Sequence, residues 1–290
     1  SMMNGDADFG LAGGAECMSR SPYVLEGTRW GQKMGNAGVT DMMLGALNCP
    51  FGTGHMGVTA ENVAKENDIT REDQDAFALA SQNRAKAAIE GGLFADQIVP
   101  IEIKVKRQLV EFTTDEHPKA STAESLAGLR PAFQKEGTVT AGNASGINDG
   151  AAAIVMANGS AVEKGNLKPR ARILGYAHAG VRPEVMGIGP IPAVKKLLAK
   201  TGLKASDFDV IESNEAFAAQ AIAVNRALDL DPAKVNPNGG AIALGHPVGA
   251  TGAILMVKLM AELERTNGKL GLITMCIGGG QGIAIAIERV

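Results

Sequence analysis

Cysteine is scarce in this chain. Its 290 residues hold three, Cys17, Cys49 and Cys276, far apart and without CxxC spacing. That excludes a disulfide framework and a cysteine-rich zinc module, and it points to a reducing cytoplasm. Aromatic residues are also few, and no basic run interleaves with them. With a net charge of −3 at pH 7, this argues against a nucleic-acid partner. An anionic ligand would need a local basic patch or helix N-termini. No uncharged apolar stretch reaches about 18 residues, so no membrane span is expected. The opening Ser1-Met2-Met3 lacks a signal-peptide pattern, and Ser-Met reads as a pair left by tag removal.

Glycine and aliphatic residues are plentiful. Thirty-seven glycines and a mean hydropathy near zero fit an α/β enzyme of one or two domains. Phe9–Ala12 reads as a short apolar strand running into a Gly-Gly turn. Thr70 and Asp73 form a capping box for a helix that Gly91-Gly92 ends. Ala76, Phe77, Ala80, Ala87 and Ala88 are expected to be its buried face. "IEIKVK" (101–106) alternates like a half-exposed strand. From Arg170 onward the pattern is regular: strand-like "ARILGYA", helical "IPAVKKLLAK", "FDVIES", "AFAAQAIAVNRAL", a short strand "AKVN", "GATGAILMVKLMAELE", then "LGLITMC" and "GIAIAIERV". This βαβαβαββ order implies a mostly parallel sheet.

Three loops in that region carry chemistry-bearing residues. "NEAFA" (214–218) follows a strand. "GHPVGATG" (245–252) precedes a helix. "CIGGGQG" (276–282) links the last two strands. Ligands of open α/β sheets bind beyond the carboxyl ends of strands, so the three are expected to converge. His246 sits among glycines, which let other groups come close to it. Cys276 can act as a general base or nucleophile, and the glycines behind it leave N–H groups for an oxyanion. A buried structural histidine, a core cysteine and an N-cap role for Asn214 are the plain alternatives. "TAGNASGINDGAAA" (140–153) reads as a loop entering a small-residue helix. "GHMGVTAENVA" (54–64) again places His and Met before a helix.

These five stretches, in this order, resemble the thiolase family, and more narrowly its short-chain acetyl-CoA acetyltransferases and β-ketothiolases. The resemblance implies an αβαβα fold of two βαβαβαββ halves with an inserted loop domain. It divides the chain into 1–16, a remnant of the N-terminal half; 17–147, the loop domain; 148–169, the end of the N-terminal half; and 170–290, the C-terminal half. On this reading the first half is largely missing.

The implied reaction is reversible condensation of acetyl-CoA with an acyl-CoA to a 3-ketoacyl-CoA plus CoA. Fatty-acid, polyhydroxyalkanoate or ketone-body metabolism would be its setting. Catalytic roles fall to His246, Cys276, Asn214 and the Gly278 N–H. Contacts to the pantetheine arm and acyl group fall to Ser145, Gly146, Ala141, His55, Met56, Phe217 and Ala216. "HMG" leans towards short acyl chains. No tightly bound cofactor and no metal are implied, only coenzyme A thioesters as substrates and a homotetramer or dimer. The family's acyl-accepting cysteine has no match here: neither Cys17 nor Cys49 sits in its motif. Two expectations follow: no normal catalysis by the chain as given, and an exposed apolar face where the first-half sheet lacks neighbours. A CoA- or partner-binding chain without turnover is the alternative. Cys276 argues against a ketoacyl synthase, which uses a second histidine in its place.

Overall fold

The computed structural model describes residues 2–290; Ser1, half of the Ser-Met pair, lies outside them. The main strands in chain order are β1 (Phe9–Cys17), β2 (Ile101–Val105), β3 (Gln108–Phe112), β4 (Asp149–Ala157), β5 (Ala171–Gly180), β6 (Val210–Ser213), β7 (Leu270–Ile277) and β8 (Gln281–Arg289). The principal helices are α1 (Met56–Glu66), α2 (Arg71–Glu90), α3 (Pro190–Thr201), α4 (Ala218–Ala227) and α5 (Thr251–Arg265).

Four strands form the central sheet in the order β6-β7-β8-β5. Alternating side chains send its two faces to different helices. Leu272, Ala284 and Ala286 meet Leu197 and Phe208 on the α3 side. Ile273 and Ile287 meet Leu255, Leu259 and Leu263 on α5. The other face of α5 takes Ile154 of β4, and β4 pairs antiparallel with β1 over nine residues. Helix α5 therefore lies between two sheets, giving the layer order helix, sheet, helix, sheet. It is pinned to the central sheet by a buried ion pair: Lys258 Nζ donates to Glu212 Oε2 at 2.7 Å and to the Gly239 carbonyl at 2.8 Å.

Several expectations give way here. The central sheet is mixed rather than mostly parallel: β6 and β7 run parallel, but β7-β8 and β8-β5 are antiparallel. A three-glycine link between β7 and β8 is too short for a crossover and forces a hairpin. "AKVN" contributes only a bridge, Ile211 to Val235. Residues 149–157 form strand β4, not a helix. Gly13-Gly14 is no turn but lies inside β1. A Cβ on Gly13 would meet the Ala152 carbonyl at 2.8 Å, and one on Gly14 would collide with the Gly249 carbonyl. β2 is exposed throughout rather than half-exposed, in a hairpin with β3 whose turn residues Lys106 and Arg107 take positive φ. The outer face of the β1-β4 pair exposes Phe9, Leu11 and Val155.

The Thr70 capping box is present as read: Thr70 Oγ1 accepts from Asp73 N at 3.1 Å, and Asp73 Oδ2 from Thr70 N at 3.4 Å. Its loss in Thr70→Ala is expected to cost about 1 kcal/mol, read from urea unfolding midpoints; an unchanged midpoint would show the cap to be idle. The buried face of α2 differs from the expected one. Ala76, Ala80 and Ala87 are exposed, while Gln74, Asp75, Ala78, Ser81, Gln82, Ala85 and Ala88 are buried. The inward stripe keeps helical spacing but is half polar, so a search for apolar residues misplaces it. Most of its polar groups are partnered: Ser81 Oγ donates to Glu215 Oε2 at 2.6 Å, Gln74 Nε2 to Thr138 Oγ1 at 2.9 Å, and Asn143 Nδ2 to Asp75 Oδ1 at 2.9 Å; the Gln74 Oε1 is buried without a partner.

Candidate active site

The site forms where β6, the turn before α5, the β7-β8 hairpin and the start of α1 meet. β6 ends at Ser213, and Asn214 N continues its ladder by donating to the Thr274 carbonyl at 3.0 Å. The helix beyond does not use Asn214 as its cap. It starts at Ala218, and Gln220 ties the turn together by donating to the Asn214 carbonyl at 3.1 Å. The Asn214 side chain is thereby left for His246: Nδ2 lies 3.3 Å from the ring Nε2. Its Oδ1 is buried without a partner.

His246 is positioned from three directions. Its backbone N–H donates to Asn148 Oδ1 at 3.0 Å. Its Nδ1 lies 2.7 Å from Thr251 Oγ1. Gly245, at φ +101°, has no room for a side chain, because a Cβ would lie 2.6 Å from the Asn148 amide. The backbone conformation and that close approach both require glycine. Burial lowers the imidazole to about 4, so it is neutral at pH 7 and free to accept a proton.

Cys276 is buried near the end of β7, in an apolar cluster with Met56, Ala144, Met186, Ala216 and Phe217. Burial pushes its thiol up to about 12. The hairpin turn follows at once. Gly279 and Gly280 take positive φ, and a Cβ on Gly280 would collide with the Val181 carbonyl. Met56 Cε lies 3.5 Å from where a Gly278 side chain would begin.

The remaining expected residues gather on the neighbouring wall, with one exception. Ser145 N and Oγ both donate to the Ala216 carbonyl at 3.0 Å, and Ala144 bridges to Phe217. His55 caps α1 by accepting from Gly57 N at 3.0 Å. Its ring stacks on Phe133 at 4.8 Å, and Phe133 meets Phe217 edge-on at 6.1 Å. Burial lowers the His55 imidazole as well. Gly146 lies against the His117 ring, which fills the space a side chain would need. Ala141 is not brought in: it is exposed in the Thr140–Asn143 turn, and Ala144 holds the inward place.

Phe133, His117, Asn148 and Thr251 escape the sequence reading. Asn148 and Thr251 stand inside quoted motifs, within five residues of groups already singled out. Phe133 and His117 carry no local signal, since their partners are distant in sequence. Cys49, outside the family's nucleophile motif, is nonetheless close to the site. It is buried in the same cluster as Cys276, and a hydrogen bond with Thr53 lowers its thiol despite some burial. Cys17 is exposed and donates to Asp149 Oδ2 at 3.6 Å.

No group of three or more His, Cys, Asp or Glu able to hold a metal occurs among the described residues. Nor is any described helix long and apolar enough to cross a membrane.

A neutral imidazole, a protonated thiol and a glycine hairpin thus stand on neighbouring elements beside an apolar cluster. Comparison with known proteins identifies the family. The model of the thiolase N-terminal domain matches residues 1–160 and that of the C-terminal domain residues 167–289. The β-ketothiolase BktB of Cupriavidus necator is 60% identical over 288 residues, covering 99% of this chain and 73% of that protein. The acetyl-CoA acetyltransferase of Escherichia coli is 54% identical, with 98% and 73% covered. Among solved structures, acetyl-CoA acetyltransferase from Bacillus anthracis superposes with a TM-score of 0.96 at 49% identity, covering all of this chain and 74% of that one. Human mitochondrial 3-ketoacyl-CoA thiolase in complex with CoA gives 0.93 at 46%, with 99% and 72% covered. The chain belongs to the thiolase family and has the thiolase fold.

One expectation is corrected by these matches. A largely missing first half is not supported, because the N-terminal domain model matches from residue 1 to residue 160. Within the segments 1–16 and 148–169, strands β1 and β4 pair with each other and pack on α5. The chain spans about 73% of the length of the curated relatives it matches.

Proposed function

We propose that this protein is an acetyl-CoA C-acyltransferase, joining acetyl-CoA and an acyl-CoA into a 3-ketoacyl-CoA with release of CoA, and running the reverse thiolysis. The carrying observation is the pairing of a neutral His246, held beside Asn214, with a buried, protonated Cys276 at a glycine hairpin. In thiolysis Cys276 protonates the departing acetyl-CoA carbanion; in condensation its thiolate takes the α-proton. His246 Nε2 takes the proton of the attacking thiol as its sulfur bonds to the acyl carbon and the carbon–carbon bond breaks; that thiol belongs first to the family's acyl-accepting cysteine, which no residue of this chain matches, and then to CoA. Asn214 holds the water of one oxyanion site and the Gly278 N–H donates at the other, an effect worth about 10²–10³ in rate per donor. Ser145, Gly146, Ala216 and Phe217 line the approach of the pantetheine arm, and His55 and Met56 bound the acyl group. Ala141 is left with the loop that carries Ser145.

Further parts of the reading rest on the same kinship. The chain divides into 1–16, 17–147, 148–169 and 170–290, with the second segment the loop domain. The substrates are free coenzyme A thioesters, with no tightly bound cofactor. A homodimer or homotetramer is the working assembly, and three unpaired thiols suit the cytoplasm. No observation favours a CoA-binding chain without turnover over this reading.

The test is thiolysis of acetoacetyl-CoA by CoA, followed as acetyl-CoA formation, using the protein as its gene encodes it. Turnover is expected, falling by about 10²–10⁴ in Cys276→Ser. Absence of turnover with acetoacetyl-CoA and with longer 3-ketoacyl-CoA would overturn the assignment.

A further inference from the structure

Thr251 makes two short contacts with one proton. Its Oγ1 lies 2.7 Å from His246 Nδ1 and 2.9 Å from the Pro247 carbonyl. A carbonyl oxygen cannot donate. Two oxygens 2.9 Å apart with no proton between them repel, so the hydroxyl proton points at Pro247. The Thr251 oxygen then faces Nδ1 with its lone pairs, and Nδ1 must carry the hydrogen. Thr251 is 2% exposed, so water does not compete for this place.

The opposite side of the ring agrees. With hydrogen on Nδ1, Nε2 offers a lone pair, and the group facing it is the Asn214 amide nitrogen, a donor. The Asn214 oxygen is the atom left without a partner. This assignment pairs both ring nitrogens and the Thr251 hydroxyl, and leaves only the Asn214 oxygen open. The other tautomer would set Nε2–H against N–H and oblige Asn214 to flip.

We infer that Thr251 is the positioning residue for the reaction, holding His246 as the Nδ1–H tautomer with its Nε2 lone pair turned into the site. This deepens the acyltransferase reading and rests on it for the step that Nε2 performs. The choice of a hydroxyl has a chemical consequence. A carboxylate in the same place would also orient the ring, but would stabilise imidazolium and raise its pKa. Thr251 orients without charge, which agrees with the low basicity that burial gives His246. Its place on the first turn of α5, five residues after His246 and four after Pro247, lets one side chain reach both partners.

The test is long-range ¹H–¹⁵N correlation NMR on histidine-labelled protein at neutral pH, with His246 assigned through His246→Gln. Wild type and Thr251→Ser are expected to show a protonated Nδ1 and an unprotonated Nε2. Thr251→Val keeps the branched shape and removes the acceptor. It is expected to revert towards the Nε2–H form that free histidine prefers, with kcat down about tenfold to a hundredfold and KM little changed. Thr251→Ser should restore kcat. A wild-type His246 in the Nε2–H form overturns the inference without any variant, so a Thr251→Val protein that fails to fold leaves it open to refutation. Retention of Nδ1–H in Thr251→Val also overturns it. An Nδ1–H tautomer in a protein that transfers no acyl group would sustain the inference about the ring and sink the acyltransferase reading instead.

Discussion

Iodoacetamide is expected to leave Cys276 almost unmodified at pH 7. The rate should then climb about tenfold per pH unit, without levelling below pH 9. The reacting species is the thiolate, and burial pushes this thiol up to about 12. Only about 10⁻⁵ of it is ionised at neutral pH. Burial among Met56, Ala144, Ala216 and Phe217 is the main cause. Peptide mapping by mass spectrometry at a series of pH values checks this, with exposed Cys17 as the internal reference. A Cys276 rate that saturates near neutrality would mean a stabilised thiolate, and would rule out the proposed role of the thiol as resting proton donor.

The second large effect is on acid stability. His246 is held at about 4 in the folded chain against 6.5 for an ordinary histidine. Between those values the unfolded chain binds the extra proton and the folded chain refuses it. Stability from this group is therefore complete above about pH 6.5 and is lost as pH falls to about 4. The difference of 2.5 pH units is worth about 3 kcal/mol. His55 and His117 are lowered too, so they act in the same sense. The ring's hydrogen-bond partners, Asn214 and Thr251, are uncharged, which leaves burial as the cause. Urea unfolding of wild type and His246→Gln at pH 7 and pH 4.5 isolates the contribution. Wild type should lose more on acidification; equal losses would show that His246 titrates normally in the fold.

Much of the site was legible because its residues lie in short glycine-bounded stretches whose backbone has few choices. Gly245 and Gly280 are where they are because carbonyl and amide groups come within contact distance, and that need is visible as glycine in the chain. The C-terminal elements were legible for a similar reason: periods of two and of 3.6 alternate cleanly from Arg170 onward. Strand direction was not, since β7 and β8 would show the same alternation in a parallel pair. β4 misleads because "GAAAIVMA" is rich in a helix former, while its pairing with β1 is set by residues some 140 positions away. The inward face of α2 misleads because polar residues fill it. Nothing in "AGNA" says that Ala144 rather than Ala141 bridges to Phe217.

That polar face of α2 bears on how members of this family can be recombined. Ser81 Oγ holds Glu215, the residue next to Asn214, and Gly240 N–H in turn donates to Ser81 at 3.0 Å. An apolar seam would tolerate a slightly shifted partner; a seam of directed bonds accepts one registration. Grafting the segment matching 17–147 of one relative onto that matching 170–290 of another should thus preserve the fold only when the partners of Ser81 and Glu215 travel together. Across natural sequences, a change at either position is expected to be answered by a change at the other.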